Sequence, residues 1–379
     1  MSSEQDRHYM RRALGLASKG LGRTSPNPCV GAVIVRDGKV IGEGYHKKAG
    51  TPHAEIHALR QAGEAAVGAT MYVTLEPCNH TGRTPPCSHA VAKAGIARVV
   101  VGMRDPNPLV DGTGVTYLRQ KNIEVICGVL EEECRELNQP FCKYIRTGLP
   151  WVVMKAGISL DGKLNYRHGQ GGWLTGAQSA EMVHRLRDRH DAIMIGSRTA
   201  MIDDPSLTTR LKEGRGRDPI RVVLDSELLL PSTARLLSVD STAPAWIFCH
   251  DRVPKSKRDW LEEGGARVFP VERTENGLVL DQVFRMLAEQ GVLSVLVEGG
   301  AVLHGRILRE RFYDWASLFL APVFAGDGGI SLISGVCAAN REEAATLADI
   351  SYTRLGDDMM IAGRLVYPPS SAVAGPKLS

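Results

Sequence analysis

No stretch of 18 or more apolar residues occurs in the chain, so no segment has the length and polarity to cross a bilayer as a helix. The first residues, MSSEQDRHYMRRALGLASKG, lack the apolar centre of a secretory signal, and Glu4 and Asp6 count against an acid-poor transit peptide. A cytoplasmic location is expected. Runs of Lys or Arg are missing too, and the net charge of +4 is mild. That argues against a nucleic-acid surface and suits a small anionic ligand. Aromatic residues make up only 6%, with no basic–aromatic strip on which single-stranded bases would stack. No repeat links the two halves, and no Gly-x-Gly-x-x-Gly follows a strand-like segment, so any dinucleotide is bound without a Rossmann fingerprint. The 8 cysteines have no regular spacing, which in a reducing compartment speaks for thiols rather than a disulfide framework. Cys29, Cys127, Cys134, Cys142, Cys249 and Cys337 read as packing residues. Only Cys78 and Cys87 group with a histidine.

What is present is a 379-residue chain with 43% apolar and 23% charged residues, enough for two or three domains with proper cores. Helical periodicity over Asp6–Lys19 stops at Gly20. Cys29–Val35 and Lys39–Tyr45 read as strands joined by Asp37-Gly38, a hairpin turn in which Gly tolerates positive φ. Pro52–Ala66 reads as a helix with Pro in its first turn. Strands at Thr70–Leu75, Ala97–Gly102 and Glu124–Cys127 alternate with helices at Pro86–Ala94, Gly114–Lys121 and Leu130–Arg146. The sum predicts a three-layer α/β domain over residues 1–147. Thr147-Gly148-Leu149-Pro150 reads as a linker. Beyond it, strands at Trp151–Gly157, Ala192–Ile195, Ile220–Leu224, Ala245–Cys249, Ala266–Pro270, Ser294–Glu298 and Ala316–Ala321 alternate with helices near Gln178–Asp188, Lys255–Glu263, Leu280–Gln290 and Ala301–Glu310. This predicts a second α/β domain over 148–367, followed by a disordered tail at 368–379 made of turn-forming and small residues.

The chemistry-bearing pattern lies in the first half. His53-Ala54-Glu55 opens a predicted helix, and Pro77-Cys78 and Cys87 follow a predicted strand. One imidazole and two thiolates supply three ligands of a tetrahedral zinc site and leave the fourth position open, as in catalytic rather than structural zinc. Zinc lowers the pKa of a bound water to about 7. Both ligand segments lie near helix N-termini, which favour thiolate. Glu55 is placed to move a proton from the attacking water to a ring nitrogen and then to the leaving amine. His-x-Glu with Pro-Cys-x-x-Cys is the described signature of zinc nucleobase deaminases. Here eight residues, Asn-His-Thr-Gly-Arg-Thr-Pro-Pro, separate the cysteines rather than two. That loop carries His80 and Arg83, either as solvated loop residues or as holders of an anionic group at the rim of the site.

These residues also carry a family resemblance. SPNPCVGAVIV, GEGYHKKAGTPHAEIHAL, YVTLEPCNHTGRTPPC and RDPNP closely resemble the deaminase half of the bifunctional riboflavin-biosynthesis family RibD. KAGISLDGKL, GGWLTG, IGSRTAMIDDPSLTTR, VLDS, VEGGAVLHG and APVFAGDGG continue the match through the second half. The resemblance implies a cytidine-deaminase-like domain followed by a dihydrofolate-reductase-like domain. The first would deaminate 2,5-diamino-6-(5-phosphoribosylamino)pyrimidin-4(3H)-one. The second would reduce the ribosyl moiety of the product to ribityl with NADPH. By matching position, His53, Cys78 and Cys87 bind one zinc ion per chain and Glu55 shuttles protons. Asn27, His46, His80 and Arg83 line the pyrimidine and phosphate site.

In the second half, Glu298-Gly299-Gly300 ends a strand and opens a helix, where backbone N–H groups can meet phosphates; a plain Gly-rich turn is the alternative. The resemblance assigns Gly157, Trp173, Thr199, Asp203, Ser226 and the segment Gly300, Ala301, Val302, Leu303, His304, Gly305 and Arg306 to NADPH. It assigns Gly171, Arg187, Leu207, Arg210 and Glu298 to the substrate. Arginines grip a ribose phosphate bidentately. The chain departs from the family pattern at two places. Gly171-Gly172 replaces a serine and a polar residue, removing a hydroxyl contact, and Cys29 replaces a common asparagine. The family also implies self-association, a small-molecule substrate, and neither nucleic acid nor membrane as partner. The competing assignment is a nucleobase deaminase whose C-terminal domain binds or oligomerises without catalysis.

Overall fold

The computed structural model describes residues 3–80, 85–108, 110–214 and 216–369. The expected tail beyond residue 369 and Arg83 lie outside the described residues. Among those described, no helix is long and apolar enough to cross a membrane. The chain divides into two compact units, with the boundary between Leu149 and Pro150.

The first unit opens with α1 (Glu4–Ala17), started by a capping box in which the Ser3 hydroxyl accepts from the Asp6 N–H at 3.1 Å and the Asp6 carboxylate accepts from the Ser3 N–H at 3.2 Å. Then come β1 (Gly31–Arg36), β2 (Lys39–Tyr45), α2 (Ala54–Ala62), β3 (Thr70–Leu75), α3 (Cys87–Lys93), β4 (Arg98–Met103), α4 (Thr113–Gln120), β5 (Glu124–Cys127), α5 (Glu131–Leu137) and α6 (Gln139–Thr147). The turn between β1 and β2 has φ of 48° at Asp37 and 73° at Gly38, the left-handed pair that its sequence called for. Strand order is β2-β1-β3-β4-β5, antiparallel around β1 and parallel from β3 onward. β2, β3, β4 and β5 therefore all point the same way. Their C-terminal ends share one edge of the sheet with the start of β1. β3 and β4 are buried almost end to end, as expected of strands covered on both faces. α2 lies directly on β2: a Cβ at Gly42 would sit 2.2 Å from the Ala58 carbonyl oxygen, and one at Gly44 2.4 Å from that of Ala54. Only glycine allows that approach.

One expectation fails here. The helix read over Leu130–Arg146 is two helices, broken at Asn138 (φ −110°, ψ 19°). Pro140 cannot donate to the carbonyl four residues back. The buried Asn138 side chain is used elsewhere, accepting from the Cys29 N–H at 2.8 Å and donating to the Cys29 carbonyl at 3.0 Å.

The second unit runs β6 (Trp151–Ile158), α7 (Ala177–Arg189), β7 (Ala192–Gly196), α8 (Ser197–Asp203), β8 (Ile220–Leu224), α9 (Arg235–Ser238), β9 (Ala245–His250), α10 (Lys255–Glu263), β10 (Ala266–Val271), β11 (Arg273–Thr274), β12 (Gly277–Leu278), α11 (Leu280–Glu289), β13 (Ser294–Val297), α12 (Ala301–Arg309), β14 (Trp315–Leu320), β15 (Thr346–Leu355) and β16 (Asp358–Val366). Its main sheet is ordered β10-β9-β8-β7-β13-β6-β14-β16-β15. From β10 to β14 all neighbours are parallel, and the β15–β16 hairpin is added antiparallel at the β14 side. That hairpin went unseen in the sequence because β15 has no buried residue and shows no apolar alternation. Cys337, read as a packing residue, is exposed instead.

One ion pair ties the first unit together. Asp6, on α1, is almost fully buried and accepts from both guanidinium Nη atoms of Arg98 on β4, at 2.9 and 3.0 Å, and from the Tyr72 hydroxyl at 3.1 Å. Arg98 holds its pKa down to about 2. Its contribution is therefore complete above the ordinary aspartate range and is lost as pH falls through about 2. Asp6→Asn is expected to cost about 2 kcal/mol at pH 7. In denaturant unfolding the gap between variant and wild type should narrow steadily on acidification below pH ~4. A gap that stays constant with pH would show that Asp6 contributes packing rather than charge.

Candidate active sites

In the first unit the shared strand edge gathers the chemistry. His46 follows β2, His53 is the residue before α2, Glu55 lies in its first turn, Cys78 follows β3 and Cys87 opens α3. Nδ1 of His53 is 3.2 Å from Sγ of Cys87 and 3.6 Å from Sγ of Cys78, and the three atoms lie within 4.8 Å of one another. Tetrahedral zinc with bonds of roughly 2.0–2.3 Å places an N and an S ligand about 3.5 Å apart, so the triangle fits that ion. The Cys87 N–H donates to the Cys78 sulfur at 3.4 Å. Hydrogen bonds from Cys87 and then His53 hold the Cys78 thiol down to about 4.

Glu55 is 2% exposed, and its Oε2 has no hydrogen-bond partner among the described residues. Burial first, and the negative Cys78 second, push its carboxyl up to about 7. A group of that kind both takes and gives a proton near neutrality. His46 stands edge-on to His53, with ring centroids 5.3 Å apart. Its Nδ1 donates to the Pro52 carbonyl at 3.3 Å, which leaves Nε2 to accept from the Asn27 amide at 3.1 Å. Burial lowers the His46 pKa, consistent with a neutral ring. The Asn27 amide is thereby oriented with its carbonyl oxygen uncommitted in this pair. His80 is exposed on the loop after Cys78.

Two further residues hold this site and were not singled out in the sequence. The buried Glu76 accepts from the N–H groups of Gly112 at 3.0 Å and Val115 at 3.1 Å, fastening the loop that carries Cys78 to the start of α4. Asn138 fixes Cys29, two residues from Asn27. An Asn just before a Gln-Pro was the available sign of a helix break.

In the second unit a cavity of about 1350 Å³ opens at the C-terminal ends of the parallel strands. Gly157, Gly171, Trp173, Arg187, Thr199, Asp203, Leu207, Arg210, Ser226, Glu298, Gly300, Ala301, Val302, Leu303, His304 and Arg306 all line it. Gly305 does not line it. Its α-carbon faces the 334 loop, where a Cβ would fall 1.7 Å from the Ser334 carbonyl oxygen. Gly300 caps α12 and abuts Thr199, whose Oγ1 lies 3.3 Å from a Cβ position at Gly300.

Glu298 is the electrostatic centre. It accepts from Nε and Nη2 of Arg187 at 2.8 and 2.9 Å and from Nζ of Lys155 at 3.3 Å. Burial alone would raise its pKa, but Arg187 and Lys155 outweigh that and hold it well below the usual carboxylate range. Nη1 of Arg187 also donates to the Thr208 carbonyl at 3.0 Å, so all three guanidinium nitrogens carry a hydrogen bond. Lys155 also lies 5.7 Å from the centroid of the exposed Trp173 ring. Lys155 was missed in the sequence; the signal was a lone cation inside the apolar strand WVVMKAGI. Leu207 is buried with φ of 54°, a strain of roughly 1–3 kcal/mol that its core contacts hold in place.

Comparison with known proteins bears on both halves. Residues 3–103 match the family model for the cytidine and deoxycytidylate deaminase zinc-binding region, and residues 150–361 that for the RibD C-terminal domain. The riboflavin biosynthesis protein RibD of Bacillus amyloliquefaciens is 41% identical over 357 residues, covering 94% of this chain and 95% of the relative. The structure of Acinetobacter baumannii RibD superposes with a TM-score of 0.85 at 37% identity, covering 96% of this chain and 99% of that one. A Thermotoga maritima structure, described as a diaminohydroxyphosphoribosylaminopyrimidine deaminase and 5-amino-6-(5-phosphoribosylamino)uracil reductase, gives 0.82 at 35% identity, covering 95% and 98%. Identity of this order, sustained over almost the full length of both chains, makes the protein a member of the RibD family, the bifunctional deaminase–reductases of riboflavin biosynthesis.

Proposed function

We propose that the first unit hydrolyses an amino group from 2,5-diamino-6-(5-phosphoribosylamino)pyrimidin-4(3H)-one, releasing ammonia, and that the second reduces the resulting 5-amino-6-(5-phosphoribosylamino)uracil to its ribityl counterpart with NADPH. The observation that carries this is the buried Glu55 carboxyl beside the His53–Cys78–Cys87 triangle. One zinc ion per chain, held by those three residues, supplies the Lewis acidity that makes water a nucleophile near neutrality. Glu55 takes the proton of the attacking water and passes it to the ring nitrogen, and then serves the departing amine. Asn27, oriented by His46, receives the heterocycle through its free carbonyl oxygen. His80 holds the phosphate, with Arg83 assigned the same part by its position in the family motif.

NADPH bound in the second unit would supply the hydride for C1 of the opened sugar, and the protein's part is to position the two. Thr199 and the N-terminus of α12 receive the cofactor's diphosphate. Gly157, Trp173, Asp203 and Ser226 complete the cofactor wall, and Gly305 serves by letting α12 pack closely. Arg187 positions Glu298 toward the ribose, and Arg210, beside Leu207 and Gly171, grips the substrate phosphate. The zinc thiolates suit the reducing cytoplasm, and all the cysteines are free. The edge strand β15, with Ile350 and Tyr352 exposed, supports self-association.

Two measurements test this. Glu55→Gln should keep its zinc, measured by atomic absorption, while ammonia release falls at least 10²-fold. Normal deamination by that variant would remove Glu55 from proton transfer. In a paired assay on the diaminopyrimidine ribosyl phosphate, deamination should proceed without NADPH, and NADPH oxidation should begin only after deaminated product has accumulated. Deamination without any NADPH consumption would leave the second unit a binding or assembly module.

A further inference from the structure

The large cavity is lined by more cations than a single phosphate group requires, and their partners sort them. Lys155 and Arg187 are both engaged by Glu298. Arg306 is held by Glu310 at 2.9 Å and by the Leu278 carbonyl. Lys163 donates to the Ser331 hydroxyl at 3.3 Å, and Arg235 lies 3.8 Å from the Asp204 carboxylate. Among the described residues this leaves Arg198 and Arg210 with side chains in no ion pair or hydrogen bond.

Position separates those two. Arg210 follows the buried Leu207, and its backbone N–H donates to Nδ1 of His184 on α7, the helix that also carries Arg187. It therefore belongs with Glu298 and the substrate. Arg198 lies at the other side, in the first turn of α8, exposed and directly before Thr199. α8 packs against β7 and β8, and β8 leads to Ser226 on the same cavity wall. A dinucleotide whose nicotinamide lies near Gly157 on β6, and whose diphosphate lies at Gly300 after β13, continues across β7 toward β8, following the strand order. Its adenosine ribose then falls beside Arg198 and Ser226. Only one feature of that ribose distinguishes the two nicotinamide cofactors: a phosphate, or a hydroxyl, at the 2′ position.

We infer that Arg198 binds the adenosine 2′-phosphate, with the Ser226 hydroxyl beside it, and thereby sets the preference for NADPH over NADH. The inference rests on the reductase function proposed above. A guanidinium with no internal partner gains a charge-assisted pair from that phosphate and nothing comparable from a 2′-hydroxyl.

The test is calorimetric titration of the full zinc-loaded chain with NADPH, NADH and adenosine 2′,5′-bisphosphate, so that binding is read without turnover. Wild type should bind NADPH well above NADH and should bind the bisphosphate. Arg198→Ala should weaken both 2′-phosphorylated ligands roughly 10- to 100-fold, the loss expected for a hydrogen bond to a charged group, and leave NADH unchanged. Arg198→Lys should recover part of the loss. Arg198 is exposed, so these variants should fold, which circular dichroism checks. Arg235→Ala should keep the preference; if it abolishes the preference while Arg198→Ala does not, the assignment is overturned. An unchanged NADPH-to-NADH ratio in Arg198→Ala overturns it equally. Wild type that binds neither nicotinamide cofactor would instead overturn the reductase function itself, and this inference with it.

Discussion

Strand direction is the constraint on which both sites depend. Strands that run the same way must be joined by segments that return across the sheet, so loop starts and helix N-termini collect at the carboxyl ends of the strands. In the first unit β2 and β3 are co-directional although neither pairs with the other, because each is antiparallel to β1. His46, His53, Cys78 and Cys87 thus arrive at one edge from segments that are distant in sequence. In the second unit the same rule brings Gly157, Thr199, Ser226 and Glu298 to one cavity from β6, β7, β8 and β13. Fine placement is then set by close packing: Gly42 and Gly44 let α2 lie on β2 backbone to backbone, which fixes where Glu55 enters.

The two buried carboxylates at these edges are treated in opposite ways. Glu55 has burial and a neighbouring thiolate against its charge, and its pKa rises to about 7. Glu298, with its side chain 8% exposed, meets Arg187 and Lys155, and stays ionised. A carboxyl pushed toward neutrality can carry a proton back and forth, whereas one pinned as an anion can orient and attract but not shuttle. Arg187 and Lys155 together leave the Glu298 cluster with a net positive charge, which favours a phosphorylated substrate over a neutral one.

Much of this was legible in the sequence where local chemistry decides. Asp37-Gly38 needs positive φ and forms the expected turn, and Lys39–Tyr45, Thr70–Leu75, Glu124–Cys127 and Ile220–Leu224 have the expected bounds. His53, Cys78 and Cys87, grouped in the sequence by residue type and by the elements they follow, lie within 4.8 Å of one another in the fold. What stayed hidden depends on partners remote in sequence. The break at Asn138 is fixed by Cys29, more than a hundred residues earlier. β15 is specified by hydrogen bonds to β16 and not by an apolar face, so it left no periodicity to find. Lys155 looked like an interruption of a strand until Glu298 appeared beside it, and the commitment of Arg187 could not be seen without Glu298 and Thr208.

Gly171 shows how such remote partners change the meaning of a substitution. In the sequence it reads as a serine lost, and with it a hydroxyl contact to substrate. In the fold, a Cβ at Gly171 would lie 2.1 Å from Oδ1 of Asp203, at the end of α8. No side chain of any size fits there while Asp203 keeps its place. The glycine is thus half of a pair: it clears the space into which the carboxylate reaches, and a polar acceptor still stands at that point of the cavity rim. Asp203 sits on the same short helix as Thr199 and Arg198. Asp203 matches the family pattern in its own right, so the departure removes the hydroxyl at 171 and leaves the Asp203 carboxylate as the polar group at that point of the cavity.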